Sequence, residues 1–296
     1  MNFAGDVWAM PKNDPLLTTL LDLDAALNGS IKLIVGGGYG LYLKQLHLKK
    51  NGSIQTLFPI AQLPVARTTE DIDLILHAEV VTDPDSMHPI RKAIDDLSFE
   101  VVPGAEFMQF VRPMGPGVVK IDLLSAPLGN FASRVPKDKR RVRPQPSVKL
   151  HAHKMDEAIT VEEHPFPVEI SGVLSSGKQR STTVFIPQAF AYLMMKLTAF
   201  HDRLHDEDKD LGRHHAIDVY RIIGLLTESE YDTVIELSRN NQNQKIVAAA
   251  RAIAEEHFMS STGLGQIRIR EHQLASDEMN LELFAEELKN ILLPQT

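Results

Sequence analysis

Leucines recur at helical spacing through "DPLLTTLLDLDAAL", residues 14–27, which predicts an amphipathic helix. The apolar run in "SIKLIVGGG" is short and uninterrupted, so it predicts a buried strand that stops where the glycines begin. "YGLYLKQLHLKK" returns to helical spacing, and "NGSIQTLFPIAQLPVA" follows neither period and reads as an irregular connection. "EDIDLILHA" alternates polar with apolar positions and predicts a strand, "MHPIRKAIDDLSF" a helix, and "FEVVP", "EFMQFVR" and "GVVKIDLLSAP" further strands. "PVEISGVLSSGKQRSTTVFIP" predicts a strand pair around a glycine turn, and from Gln188 the pattern is helical almost to the end. The expected fold class is α/β (α+β): a mixed sheet flanked by helices over residues 1–187, then a helical domain over residues 188–296.

Composition narrows the class. Of 296 residues 43% are hydrophobic and 24% charged, the balance of a soluble globular protein with a sizeable core. No run approaches the roughly 18 apolar residues of a membrane span, and the first residues have neither a basic start nor an apolar stretch of signal type, so a cytoplasmic protein is expected. The absence of cysteine excludes disulfides, thiolate zinc sites and a cysteine nucleophile, but not a metal held by oxygen. A net charge of −8 argues against a uniformly nucleic-acid-coating surface and leaves room for a local basic patch. The proline-spotted, basic stretch 130–154, with Arg134, Lys137, Lys139, Arg140, Arg141, Arg143, Lys149 and Lys154, is such a patch. It reads as an exposed loop or hinge, either simply solvated or attractive to a phosphate backbone, without interleaved aromatics for base stacking.

The chemistry concentrates in two stretches. "IVGGGYG" gives the backbone unusual freedom, and "EDIDLIL" places Asp71 and Asp73 on one face of a strand, with Ile72 and Leu74 on the other. Two carboxylates in one small volume raise a proton affinity or demand a cation, unless the strand face is solvated. In "VVKIDLL" Asp122 interrupts an apolar strand and faces a polar site, an exposed face or a metal. Together the three form a set of carboxylates on neighbouring strands, suited to Mg²⁺, with two ions possible, in a displacement at phosphorus. The glycines would then let backbone N–H groups approach a triphosphate.

Gly37 and Gly38 with Leu41, followed by Arg67, Thr69, Asp71 and Asp73 in "RTTEDIDL", resemble the signature of the nucleotidyltransferase superfamily with the DNA-polymerase-β-type fold. More narrowly the chain resembles the AbiEii-like nucleotidyltransferases, toxins of bacterial toxin–antitoxin and abortive-infection systems. "AYLMMKLTAFHDR…KDLGRHHAIDVYRII" is similar to that family's helical segment, with Lys196 at the position expected to meet the triphosphate and Asp218 at the downstream acid; Lys209 and Asp210 fall in the same segment. The interval from Gly38 to Asp71 is longer than is usual there, and Tyr39 stands where the family often has serine or threonine. The resemblance implies catalytic Asp71, Asp73, Asp122 and Lys196, nucleotide contacts at Gly37, Gly38, Lys196 and Asp218, and metal ligands Asp71, Asp73 and Asp122. It further implies transfer of a nucleoside monophosphate from a nucleoside triphosphate to an acceptor hydroxyl, an RNA acceptor such as a tRNA 3′ end, and a cognate antitoxin.

Other readings stay open at the level of sequence. The same chemistry serves nucleotidylation of a small molecule or protein, and a degenerate member would only bind nucleotide, RNA or a partner. His201, Asp202, His214, His215 and Asp218 could imitate an HD-type metal phosphohydrolase, or be solvated and capping residues. Lys196, on a helix whose Leu193, Met194, Leu197 and Phe200 pack inward, either snorkels to water or faces the triphosphate. "GGGYG" lacks the spacing of a Rossmann fingerprint.

Overall fold

The computed structural model describes residues 14–65, 69–105, 107–115 and 117–293. In chain order the elements are α1 (Pro15–Leu27), β1 (Ile34–Val35), α2 (Gly37–Lys50), β2 (Asp71–Leu76), α3 (Ala78–Val81), α4 (Pro84–Asp96), β3 (Glu100–Val101), β4 (Gln109–Met114) and β5 (Gly117–Ser125). They continue with β6 (Arg141–Val142), β7 (Ala152–Lys154), β8 (Phe166–Val173), β9 (Gln179–Ile186), α5 (Ala189–Arg203), α6 (Arg213–Gly224), α7 (Glu228–Asn240), α8 (Lys245–His257), α9 (Leu264–Glu271) and α10 (Leu281–Leu292). This is the mixed sheet with flanking helices and helical C-terminal part that the periodicity predicts.

Two compact units share the chain. The first comprises residues up to Tyr39, Thr69–Lys154 and Pro167–Phe185; the second comprises Gly40–Thr68, Met155–Phe166 and Ile186 onward. The last crossing lies close to Pro187, and two earlier segments join the helical unit.

The first unit is built on a sheet of order β3-β4-β5-β2-β1-β9-β8, with β7 and β6 added beside β5. β2 runs parallel to β5 and antiparallel to β1, and β1 runs parallel to β9. The strand expected across "SIKLIV" shrinks to two residues because Gly36 and Gly37 turn the chain directly into α2. α1 starts at the Asp14 cap, which accepts from the Leu16 and Leu17 N–H groups. Its Leu17 and Leu21 close over Gly172, where an added Cβ would lie 3.2 and 3.1 Å from them. α4 begins earlier than the apolar spacing suggests, because Asp83 caps it through the Ser86 N–H and Pro84 takes the first turn.

The basic stretch is not simply a loop. Val142, Val148, Leu150 and Ala152 are buried, and β6 and β7 pair with each other while β7 runs parallel to β5 at Leu124↔His153 and Ser125↔Lys154. Apolar residues spaced between the cations draw the segment onto the sheet, leaving Lys137, Lys139, Arg140 and Lys149 exposed.

In the second unit α5 is anchored by Gln188, whose side chain accepts from the Phe190 and Ala191 N–H groups. Leu193, Met194, Leu197 and Phe200 are fully buried, as their spacing predicts. Phe200 stacks edge-on with Phe258 at 4.8 Å between centroids, and Phe284 packs near both Phe258 and Tyr220. The irregular segment after α2 docks on the end of α6: the Leu57 N–H donates to Leu226 O and the Phe58 N–H to Gly224 O.

Candidate functional site

In the first unit the three predicted carboxylates come together through strand register. β2 and β5 pair residue for residue, so Asp73 lies beside Asp122 and Asp71 beside Lys120, on strands about 4.8 Å apart. Alternation gives all four the same face, while Ile72, Leu74, Ile121 and Leu123 fill the core. Gln109 of β4 is the register partner of Asp122 on its other side.

The glycine turn explains itself against Asp73. The Gly36 N–H donates to the Asp73 carbonyl at 2.8 Å, extending the ladder by one residue. Gly37 then takes a φ of +62°, and a Cβ there would lie 1.9 Å from Asp73 Oδ2. The closest approach that Gly37 permits is therefore that of a carboxylate in the site. Gly37 and Gly38 open α2, and the start of a helix favours negative charge. Tyr39 is occupied elsewhere: its hydroxyl donates to Asp14 Oδ2 at 2.8 Å, so it joins the α1 cap. Arg67 lies outside the described residues, and the Thr69 hydroxyl accepts from the Asp71 N–H at 3.3 Å.

Lys120, which belongs to no motif in the sequence, is a central residue of this face. Its Nζ donates to Asp122 Oδ2 at 3.0 Å and lies 3.8 Å from Asp71 Oδ1. Burial works against its ammonium, but the hydrogen bond to Asp122 and the charges of Asp122, Asp71 and Asp73 outweigh it and raise the lysine above its usual range. Asp122 also moves up: burial dominates, the Lys120 contact offsets part of it, and Asp71 adds repulsion. Both move up, which favours the charge on Lys120 and disfavours it on Asp122, because Asp122 is the more buried partner, at 18% side-chain exposure against 27%, and faces a second carboxylate besides. Asp122 Oδ1 is buried without a hydrogen-bond partner. The sequence did hold a signal for Lys120, two residues before Asp122 and thus on the same strand face.

Among the described residues, no group of three His, Cys, Asp or Glu side chains is gathered so as to hold a metal ion. In the carboxylate trio the ammonium reaches between Asp71 and Asp122. The donor set itself, three carboxylates with one orphaned oxygen, has the all-oxygen chemistry that a hard divalent cation requires.

A second cluster lies within the helical unit. Lys196 of α5 is buried, and its Nζ donates to Asp218 Oδ2 of α6 at 2.7 Å. Arg221, one turn further along α6, donates to Asp218 Oδ1 at 3.2 Å and to Gln45 Oε1 of α2 at 2.9 Å. Lys196 therefore does not snorkel. Arg221 and Gln45 were not singled out by the sequence, although Arg221 three residues after Asp218 is helical-face spacing.

The histidines assemble differently from an HD-type centre. His214 Nδ1 lies 2.9 Å from His272 Nε2, and Asp210 Oδ2 is 3.8 Å from His214 Nε2. Asp218, the acid such a centre would use, is taken by Lys196 and Arg221.

No protein-family model matches the chain, and no curated protein matches it in sequence. Among solved structures, the solution structure of the antibiotic-resistance factor ANT(2'')-Ia is similar to it, with 13% identity, 77% of this chain and 98% of that chain covered, and a TM-score of 0.34. That level of likeness decides neither fold family nor activity. No helix among the described residues is long and apolar enough to cross a membrane.

Proposed function

We propose that the protein is a nucleotidyltransferase that moves a nucleoside monophosphate from a nucleoside triphosphate to an acceptor hydroxyl. The observation that carries this reading is the register match of Asp73 with Asp122, with Asp71 on the same face, against a glycine turn opening a helix. Asp71, Asp73 and Asp122 would hold Mg²⁺, whose chemistry when bound is to neutralise charge on the triphosphate and polarise the reacting phosphorus.

Asp122, on the same strand face as Asp71 and Asp73, is assigned the proton of the acceptor hydroxyl. The acceptor oxygen then forms a bond to the α-phosphorus as the bond to the bridging oxygen breaks, and pyrophosphate carries away that electron pair. Gly37 and Gly38 give the triphosphate access to backbone N–H groups. A phosphate contact for Lys196, which Asp218 holds within the helical unit, follows from the family resemblance alone.

The finer reading follows the family resemblance: an AbiEii-like toxin, restrained by a cognate antitoxin, with RNA as acceptor. The exposed cations of the β6–β7 segment, which joins the sheet beside β5, support a polyanionic acceptor. Incubation with each α-labelled nucleoside triphosphate, Mg²⁺ and total RNA tests it. Label in RNA supports the RNA reading, label confined to small molecules or protein moves the acceptor, and no label with any donor contradicts transfer.

A further inference from the structure

Three carboxylates and one ammonium share the face formed by β2 and β5, leaving an excess of two negative charges around one lysine. That excess matches a divalent cation. Lys120, however, already uses an oxygen that such a cation would need. Its side chain is 27% exposed, on a flexible four-carbon stem, so the ammonium can leave for solvent without rearranging the strand.

We infer that Lys120 is an internal counter-ion: it holds Asp122 and Asp71 in the metal-free protein and competes with an incoming divalent cation for the same oxygens. The inference rests on the nucleotidyl-transfer reading in taking Asp71, Asp73 and Asp122 as the metal ligands. An ammonium and a divalent cation within a few ångström repel each other, so one displaces the other. Free metal therefore binds weakly. A cation delivered with a triphosphate fares better, because the phosphates add negative charge as the lysine is displaced. The device couples metal loading to nucleotide and keeps the trio from being charged with metal when no donor is present.

Binding of Mn²⁺ to the nucleotide-free protein, followed by the loss of the free-ion electron paramagnetic resonance signal, tests this without turnover. Lys120→Met should tighten Mn²⁺ binding by about tenfold, whereas Lys120→Arg, which keeps the charge, should stay near wild type. Lys120→Gln replaces Lys120→Met if the latter does not fold. Adding Asp122→Asn to the Lys120→Met variant should abolish the gain. If Lys120→Met or Lys120→Gln binds no more tightly while Asp122→Asn weakens binding, the counter-ion role is overturned and the metal site stands. If Asp122→Asn alters binding in neither background, the trio is not a metal site, and the inference falls with that part of the reading.

Discussion

At Gly37 two constraints coincide, a φ of +62° and a carboxylate oxygen 1.9 Å from where a Cβ would sit. Gly37→Ala should cost about 1–2 kcal/mol from the backbone alone and should push Asp73 out of line, so that transfer falls far more than stability; urea denaturation beside a transfer assay separates the two. Asp71→Asn and Asp73→Asn should each lower transfer by about 100-fold or more with the fold retained. In the second cluster two cations share one buried carboxylate, so the partners are unequal. Asp218→Asn removes the anion from both and should cost about 3–5 kcal/mol, while Lys196→Met leaves the Arg221–Asp218 pair and should cost clearly less; thermal unfolding of the two variants gives the order. The carboxylates were legible in the sequence because strand alternation is a strong local signal. Lys120 was equally legible in principle, but a lysine beside an acid is common, and only the register with Asp71 gives it meaning. Gln45 could not be read, because its link to Arg221 spans 176 positions of sequence.

Elements with a steady period were legible, α1 and α5 above all. β1 was legible as a strand but not in its length, which its partners β2 and β9 set rather than its own apolar run. The β6–β7 segment differs from the loop that its sequence suggests for a related reason: its charges dominate the sequence pattern, and the buried Val142, Val148 and Leu150 dominate its position. At the end of α8, His257 is buried against the Phe200 ring, and burial first, then the charges of His201 and His205, lowers its proton affinity against the opposing Glu256. The folded state thus binds that proton less readily than the unfolded chain, whose value is 6.5, so His257 contributes stability that is lost as pH falls below 6.5. His257→Gln should flatten the fall in thermal stability between neutral and mildly acidic pH; an unchanged slope would assign it to other groups.

For the whole molecule, periodicity gave the mixed sheet and the helical C-terminal part, yet not the interleaving that assigns residues 40–68 and 155–166 to the helical unit. Such membership depends on contacts between distant segments, for example Phe58 on Gly224, for which no local period exists. With a net charge of −8, contact with a polyanion would fall to local patches such as the exposed cations between Lys137 and Lys149, and the proposed binding to RNA should weaken as salt rises. The central claim is transfer of a nucleoside monophosphate at the carboxylate trio. The most direct measurement is a single assay with α-labelled nucleoside triphosphates, Mg²⁺ and total RNA, run on wild type and on folded Asp73→Asn protein. The account predicts label joined to RNA and pyrophosphate released by the wild type, with both lost in the variant. Wild-type levels of labelling by the Asp73→Asn protein, or no labelled product from the wild type with any of the nucleotides, would contradict it.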